Sequence, residues 1–140
     1  MTPVRLLLAF AASALLLFAG CGDGDETTTT GSDAQVFDKG ALSSPIEVDA
    51  GSSFEIVLEA NNTTPYHWVF TAKPDASVVA YEGREYETDP GSEGLTGAGG
   101  TETFSFEATA AGSTEIGLAY EELSGDGPTT EKIEAKVTVR

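Results

Sequence analysis

Apolar and polar residues alternate in several short runs that begin about a quarter of the way along the chain. Positions 54, 56, 58 and 60 hold Phe, Ile, Leu and Ala, and Tyr66, Trp68 and Phe70 repeat the same spacing. Side chains that recur at every second residue share one face of a β-strand. The predicted strands are residues 35–37, 46–48, 54–60, 66–71, 77–81, 103–108, 115–120 and 133–139. Residues 83–100, which contain Pro90 and six glycines, are predicted to form a loop.

This pattern predicts an all-β fold, because no segment shows the apolar spacing of an amphipathic helix. About seven short strands, separated by turn residues roughly every 8–12 positions, are typical of an immunoglobulin-like antiparallel β-sandwich. The predicted core consists of Phe54, Ile56, Leu58, Trp68, Phe70, Phe104, Phe106, Ile116, Leu118, Val137 and Val139.

The N-terminal residues have the composition of an export signal. Residues 6–18 form a predominantly apolar run, too short for a comfortable membrane span but suited to a signal peptide. The run ends in Leu-Phe-Ala-Gly-Cys, which resembles a bacterial lipobox, with Cys21 as the lipidated residue. Cys21 is the only cysteine, so it has no intramolecular disulfide partner. The alternative is a plain secretory signal followed by a chance cysteine.

Three regions are therefore expected: a lipoprotein signal peptide (1–20), an acidic Thr/Gly-rich tether (21–33) and a β-sandwich domain (34–140). Residues 22–33 lack any large apolar side chain and cannot bury enough surface to offset the entropy of ordering. The net charge of -16 argues against binding nucleic acid or anionic lipid through the folded surface. We expect an exported monomer held at the cell envelope, outside the cytoplasm, by its N-terminal lipid.

The residues required for common catalytic sites are missing from the sequence. His67 is the only histidine and Met1 the only methionine, so a copper site built from His, Cys and Met has no ligand set. No glycine pattern of a nucleophile elbow surrounds any serine, and zinc, haem and phosphate-loop motifs are absent. We therefore expect a binding module without a cofactor, rather than an enzyme.

Two segments between predicted strands have distinctive chemistry. Residues 61–66, Asn-Asn-Thr-Thr-Pro-Tyr, combine side chains that bond nearby backbone groups with a proline that fixes its own φ. They predict a stiffened loop, although an ordinary hairpin tip has a similar composition. Residues 97–100, Gly-Ala-Gly-Gly, indicate either a mobile loop or backbone that must approach a partner closely.

Together with Trp68, Phe104 and Tyr120, these segments resemble the chagasin family, which inhibits papain-like cysteine peptidases. The resemblance extends from about residue 46 to 139. It implies an immunoglobulin-like sandwich that displays three loops at one end and plugs the peptidase cleft reversibly, without covalent chemistry. By position in the family motifs, the implied peptidase-binding residues are Asn61, Thr63, Thr64, Pro65, Tyr66, Gly97, Gly99, Gly100, Glu122 and Leu123.

The match is incomplete in two of the three loops. Asn62 replaces the usual proline and Pro65 the usual glycine of the first loop. Glu122, Leu123 and Ser124 occupy the positions of an Arg-Pro-Trp motif in the third. Losing an aromatic anchor worth about 2 kcal/mol weakens binding roughly 30-fold. The alternative function is therefore a surface-anchored binding or scaffold domain that keeps the fold and has lost peptidase inhibition.

Overall fold

Residues 34–140, which the computed structural model describes, form eight β-strands and one short 3₁₀ helix. The expected signal peptide, tether and Cys21 lie outside these residues. The strands are β1 Gln35–Asp38, β2 Ile46–Val48, β3 Ser53–Ala60, β4 Tyr66–Ala72, β5 Val79–Thr88, β6 Gly100–Ala108, β7 Gly112–Glu122 and β8 Glu131–Val139, with the 3₁₀ helix at Ala41–Ser43 between β1 and β2.

The strands form two four-stranded sheets. The first sheet has the order β1-β3-β6-β5 and the second β2-β8-β7-β4, which confirms the predicted β-sandwich. The pairing is antiparallel except at two short strands, since β1 runs parallel to β3 and β2 parallel to β8. The four pairings among the longer strands are antiparallel, as predicted. The chain passes from the first sheet to the second between β1 and β2. Strand β1 pairs with β3 and strand β2 with β8, and in each pair the two strands run in the same direction.

The core lies between the sheets and follows the predicted alternation. Phe54, Phe104 and Leu118 are fully buried, and the rings of Phe54 and Phe106 stack with centroids 5.2 Å apart. Ten of the eleven predicted core residues are buried, and Phe70 is half-buried against them. Burying each such side chain contributes about 1.5–3 kcal/mol, so apolar packing supplies most of the stability of this domain.

Strand β5 is longer than the sequence indicated. The predicted strand ended at Tyr81 and a loop was expected from residue 83, but β5 continues to Thr88 and pairs with β6 along its whole length. The register shifts between Tyr81 and Gly83, and the inward positions beyond that shift hold Arg84 and Tyr86. Alternation was not visible because β5 is an edge strand whose inward face is partly polar.

Three loops emerge at one end of the sandwich. We call residues 61–65 the first loop, 89–99 the second and 123–130 the third; they follow β3, β5 and β7 respectively. Together they form what we call the loop edge. The turns at 49–52, 73–78 and 109–111 lie at the other end, where Ala108 accepts from the Gly51 amide and Val78 from the Thr109 amide.

Candidate functional site

The first loop is closed by its own side chains. The Asn61 Oδ1 atom accepts hydrogen bonds from the Thr63 amide at 3.0 Å and the Thr63 hydroxyl at 2.6 Å. The Asn61 carbonyl accepts from the Thr64 amide at 3.1 Å and its hydroxyl at 2.7 Å. These are the local bonds that Asn and Thr make in turns. The prediction of a stiffened loop is confirmed, and Asn61 is its centre.

The first and second loops are bonded directly to each other. The Asn61 side-chain amide donates to the Gly97 carbonyl at 3.2 Å, and the Gly97 amide donates to the Thr63 hydroxyl at 3.1 Å. Gly97 has a φ of 89°, a backbone conformation that residues with a Cβ atom rarely adopt. Two segments more than 30 residues apart in sequence therefore meet at one point and fix each other.

The third loop is attached to the first at its base. The Leu123 amide donates to the Pro65 carbonyl at 3.0 Å, and the Asn61 amide donates to the Tyr120 hydroxyl at 3.0 Å. The rings of Tyr66 and Tyr120 lie 6.0 Å apart beneath these bonds. Since the first loop bonds both neighbours, it occupies the middle of the loop edge.

A polar layer lies directly beneath the loops. The Trp68 indole donates to the Glu59 carbonyl at 2.9 Å. Arg84, on edge strand β5, donates from Nη1 to the Trp68 carbonyl at 3.0 Å and contacts Glu102 Oε1 at 3.1 Å. Because Trp68 is on edge strand β4 of the other sheet, Arg84 ties the two sheets together along their open side.

Glu102 is the acidic residue at the centre of this layer. It is 5% exposed and points inward from β6, and its Oε2 atom has no hydrogen-bond partner among residues 34–140. Burial raises the pKa of Glu102 above its usual range, while the positive charges of Arg84 and His67 act in the opposite direction. Its role was missed in the sequence, although extending the alternation of Phe104 and Phe106 back by one step would have placed it inward.

The predicted contact residues differ in exposure. Thr63, Pro65, Gly97 and Leu123 are exposed, whereas Asn61, Thr64, Tyr66, Gly99 and Glu122 are half-buried. Glu122 ends β7 and pairs with Tyr66. Their role in binding stays a prediction, and the hydrogen bonds above bring most of them together at the loop edge.

Gly100 has a structural reason to be glycine. It is buried as the first residue of β6, and a Cβ there would overlap the Glu87 carbonyl and the Tyr86 ring. Its predicted contact with a peptidase is not tested by this packing, but direct access to it is poor.

Leu95 is an accessible residue of the loop edge that was not predicted from the sequence. It is 62% exposed in the second loop, and it was missed because it lies in a predicted loop and belongs to no motif.

Within residues 34–140, no three His, Cys, Asp or Glu side chains gather closely enough to hold a metal ion. The same residues contain no helix of the length and apolarity needed to cross a membrane.

Comparison with known proteins gives a consistent family assignment. The model of the family described as "Chagasin family peptidase inhibitor I42" matches residues 47–139. Chagasin from Trypanosoma cruzi is 34% identical over 79 residues, which cover 54% of this chain and 69% of that protein.

Solved structures share the fold. Amebosin matches with a TM-score of 0.61 and 25% identity, over 76% of this chain and 98% of its own. The cysteine protease inhibitor EhICP2 from Entamoeba histolytica matches with a TM-score of 0.66 and 16% identity, over 76% of this chain and 96% of its own. PbICP-C, solved in complex with falcipain-2, matches with a TM-score of 0.56 and 16% identity, over 76% of this chain and 100% of its own.

Proposed function

This chain belongs to the chagasin family of peptidase inhibitors, and we propose that its loop edge enters and blocks the active-site cleft of a papain-like cysteine peptidase. The protein is an inhibitor and not an enzyme, because the family to which it belongs consists of peptidase inhibitors. The structural neighbour EhICP2 is also a cysteine protease inhibitor. One neighbour was solved in complex with falcipain-2, and we take a peptidase of that kind as the partner class.

The pair of hydrogen bonds between Gly97 and the first loop carries this proposal. A protruding group that enters a cleft loses least affinity when its shape is fixed before binding. Asn61 holds the first loop in one conformation, and Gly97 and Leu123 connect it to the loops on either side. The exposed Thr63 and Pro65 then present a rigid, uncharged tip between the two neighbouring loops.

The third loop lacks the aromatic anchor implied by the family resemblance. Leu123 is 70% exposed, so an apolar side chain is still offered to a partner, but it has less contact area than tryptophan. We therefore expect reversible inhibition that is weaker than a full set of anchors would give.

A titration of papain with the purified protein tests this function. We expect competitive and reversible loss of peptidase activity as the protein is added. The matched variants are Thr63→Val, which removes the hydroxyl that holds Gly97, and Asp49→Asn at the other end of the sandwich as the control. Thr63→Val should weaken inhibition about tenfold, the effect of losing roughly 1.4 kcal/mol, and Asp49→Asn should not. Absence of inhibition at tens of micromolar, with papain and with a second peptidase of the same class, would argue for the scaffold alternative.

Restoring the family sequence of the third loop gives a second test. The double variant Glu122→Arg, Ser124→Trp, which keeps the Leu123 amide that bonds the Pro65 carbonyl, should inhibit papain roughly 30-fold more strongly than the original chain. A gain of potency would mean that the sandwich already holds the loops in the inhibitory arrangement. An unchanged or weaker inhibition would mean that the third loop lies outside the contact.

We propose in addition that Cys21 is lipidated and that the mature protein is exported and anchored at the cell envelope. The apolar run at 6–18 and the pattern ending at Cys21 support this proposal. The direction of β1 is compatible with it, because Gln35 pairs with Phe54 at the start of β3, and β3 reaches the first loop only at its far end, Ala60. A domain anchored from that side would hold its loop edge away from the membrane.

Mass spectrometry of the protein from a bacterial membrane fraction tests the anchor. The expected mature chain begins at Cys21 and carries the mass of acyl chains, and Cys21→Ser should move the protein to the soluble fraction. A soluble mature chain with an unmodified cysteine would favour the plain secretory signal.

A further inference from the structure

Two large apolar side chains are exposed on the loop edge, one on each side of the first loop. Leu95 in the second loop is 62% exposed and Leu123 in the third is 70% exposed. Among residues 34–140 only Val36 and Tyr81 are comparable, and neither lies in a loop of the loop edge. A single exposed leucine is ordinary. A pair placed on both sides of a rigid tip is a feature of that surface.

Backbone hydrogen bonds hold both leucines relative to the first loop. The Leu123 amide donates to the Pro65 carbonyl at 3.0 Å. The Leu95 amide donates to the Ser92 carbonyl at 3.1 Å, and the Leu95 carbonyl accepts from the Ala98 amide at 3.4 Å. Ala98 directly follows Gly97, which is bonded to the first loop. The two leucines are therefore carried by backbone that is fixed before a partner arrives.

The charges of the loop edge are all of one sign. The sequence contains no lysine or arginine between Arg84 and Lys132, and none in the first loop. Arg84 itself is committed to Glu102 and to the Trp68 carbonyl. The exposed charges that accompany the leucines are carboxylates, namely Asp89 and Glu93 in the second loop and Asp126 in the third, with Glu121 and Glu122 half-buried at the base of the third.

Resting on the proposed function, we propose that the target is a cysteine peptidase whose cleft offers apolar pockets to Leu95 and Leu123 and is bordered by lysine or arginine side chains. Apolar pockets on either side of the catalytic groove would remove the leucine side chains from water and slow dissociation. A basic border would attract the carboxylates and speed association, whereas an acidic border would repel them. The loop edge thus selects among peptidases of one fold by charge as well as by shape.

The test uses two forms of one papain-like peptidase, one with lysine and arginine beside its cleft and one with those residues changed to glutamate. Association and dissociation rate constants are measured with the purified protein at low and high salt. For the basic form, we expect association to slow roughly tenfold as salt rises from about 20 to 500 mM, because screening weakens steering. For the acidic form, association should be slower at low salt and should increase with salt.

Variants assign the effect to the proposed residues. The double variant Glu93→Gln, Asp126→Asn should slow association with the basic form several-fold. The control, Asp49→Asn with Glu107→Gln, removes the same charge away from the loop edge and should leave association nearly unchanged. Leu95→Ala and Leu123→Ala should each speed dissociation roughly tenfold with little change in association. Thermal unfolding is measured for each variant to check that it remains folded, as expected for substitutions of exposed side chains.

The outcomes separate the two claims. Inhibition that is insensitive to salt, to the carboxylates and to the leucines would overturn this inference and leave the proposed function standing. Equal inhibition of the basic and acidic forms at low salt would overturn the charge preference. Failure of the protein to inhibit either form at any salt concentration would overturn the proposed function, and this inference with it.

Discussion

The middle of the sandwich and the layer beneath its loops are built in different ways. In the middle, Phe54, Phe104 and Phe106 are at most 1% exposed. The rings of Phe54 and Phe106 stack face to face, and Phe104 packs edge to face against Phe70. Beneath the loops, Trp68 and Tyr120 are also large and aromatic, but each uses its polar atom. The Trp68 indole bonds Glu59, and the Tyr120 hydroxyl bonds Asn61.

The difference separates two tasks. Apolar burial depends on area and has no preferred direction, so it stabilises the sandwich without fixing where a loop points. Hydrogen bonds require specific distances and angles, so they fix the loops but contribute only about 1 kcal/mol each. Truncating a buried side chain in the middle should therefore change stability far more than inhibition. Removing a hydrogen-bonding group beneath the loops should change inhibition more than stability.

The largest expected effect comes from Phe104→Ala in the middle of the core. Losing this buried ring should lower the free energy of unfolding by roughly 3–5 kcal/mol, measured by urea denaturation. The fraction that remains folded should inhibit papain with the original affinity. The control is Val36→Ala, since Val36 is 62% exposed. If the folded Phe104→Ala variant lost as much binding free energy as unfolding free energy, the core and the layer beneath the loops would not have separate roles.

A smaller effect on stability, with a clear effect on inhibition, is expected for Tyr120→Phe. The change removes the hydroxyl that accepts from the Asn61 amide and leaves the ring contacts with Trp68 and Tyr66 in place. Stability should fall by about 1 kcal/mol, and papain inhibition should weaken several-fold because the first loop is less ordered. Tyr81→Phe, away from the loop edge, serves as the control. Unchanged inhibition in Tyr120→Phe would show that the first loop is held without this bond.

The smallest expected effect is a change in pH dependence on substituting Glu102→Gln. Because burial raises the pKa of Glu102 in the folded protein above the 4.5 of a solvent-exposed glutamate, the folded state binds its proton more tightly than the unfolded state does. This group's contribution to stability is thus fully present below pH 4.5 and is lost as pH rises through the folded pKa.

The glutamine variant cannot titrate at this position, so its stability should fall less than that of the original protein over the same pH window. Urea denaturation at a series of pH values measures the difference, and Glu107→Gln on the exposed side of β6 is the control. A parallel pH profile for the Glu102→Gln variant and the original protein would show that Glu102 titrates normally when folded.

The loops were easier to predict from the sequence than the layer that supports them. Asn61, Thr63 and Gly97 could be singled out because Asn, Thr and Gly have local preferences that act within a few residues. The contact between Arg84 and Glu102 joins two neighbouring strands whose inward faces are partly polar, so neither residue belongs to a visible apolar pattern. The true length of β5 was missed for the same reason.

The sequence by itself determined the β-sandwich, most of its core and the rigid character of the first loop, because alternation and turn chemistry are local properties of the chain. It could not decide that Asn61 bonds Gly97 or that Leu123 bonds Pro65. Those contacts join segments separated by 36 and 58 residues, and they exist only because the paired strands bring the ends of β3, β5 and β7 together. The loop edge is consequently a product of the tertiary structure, assembled from segments that each have an ordinary local sequence.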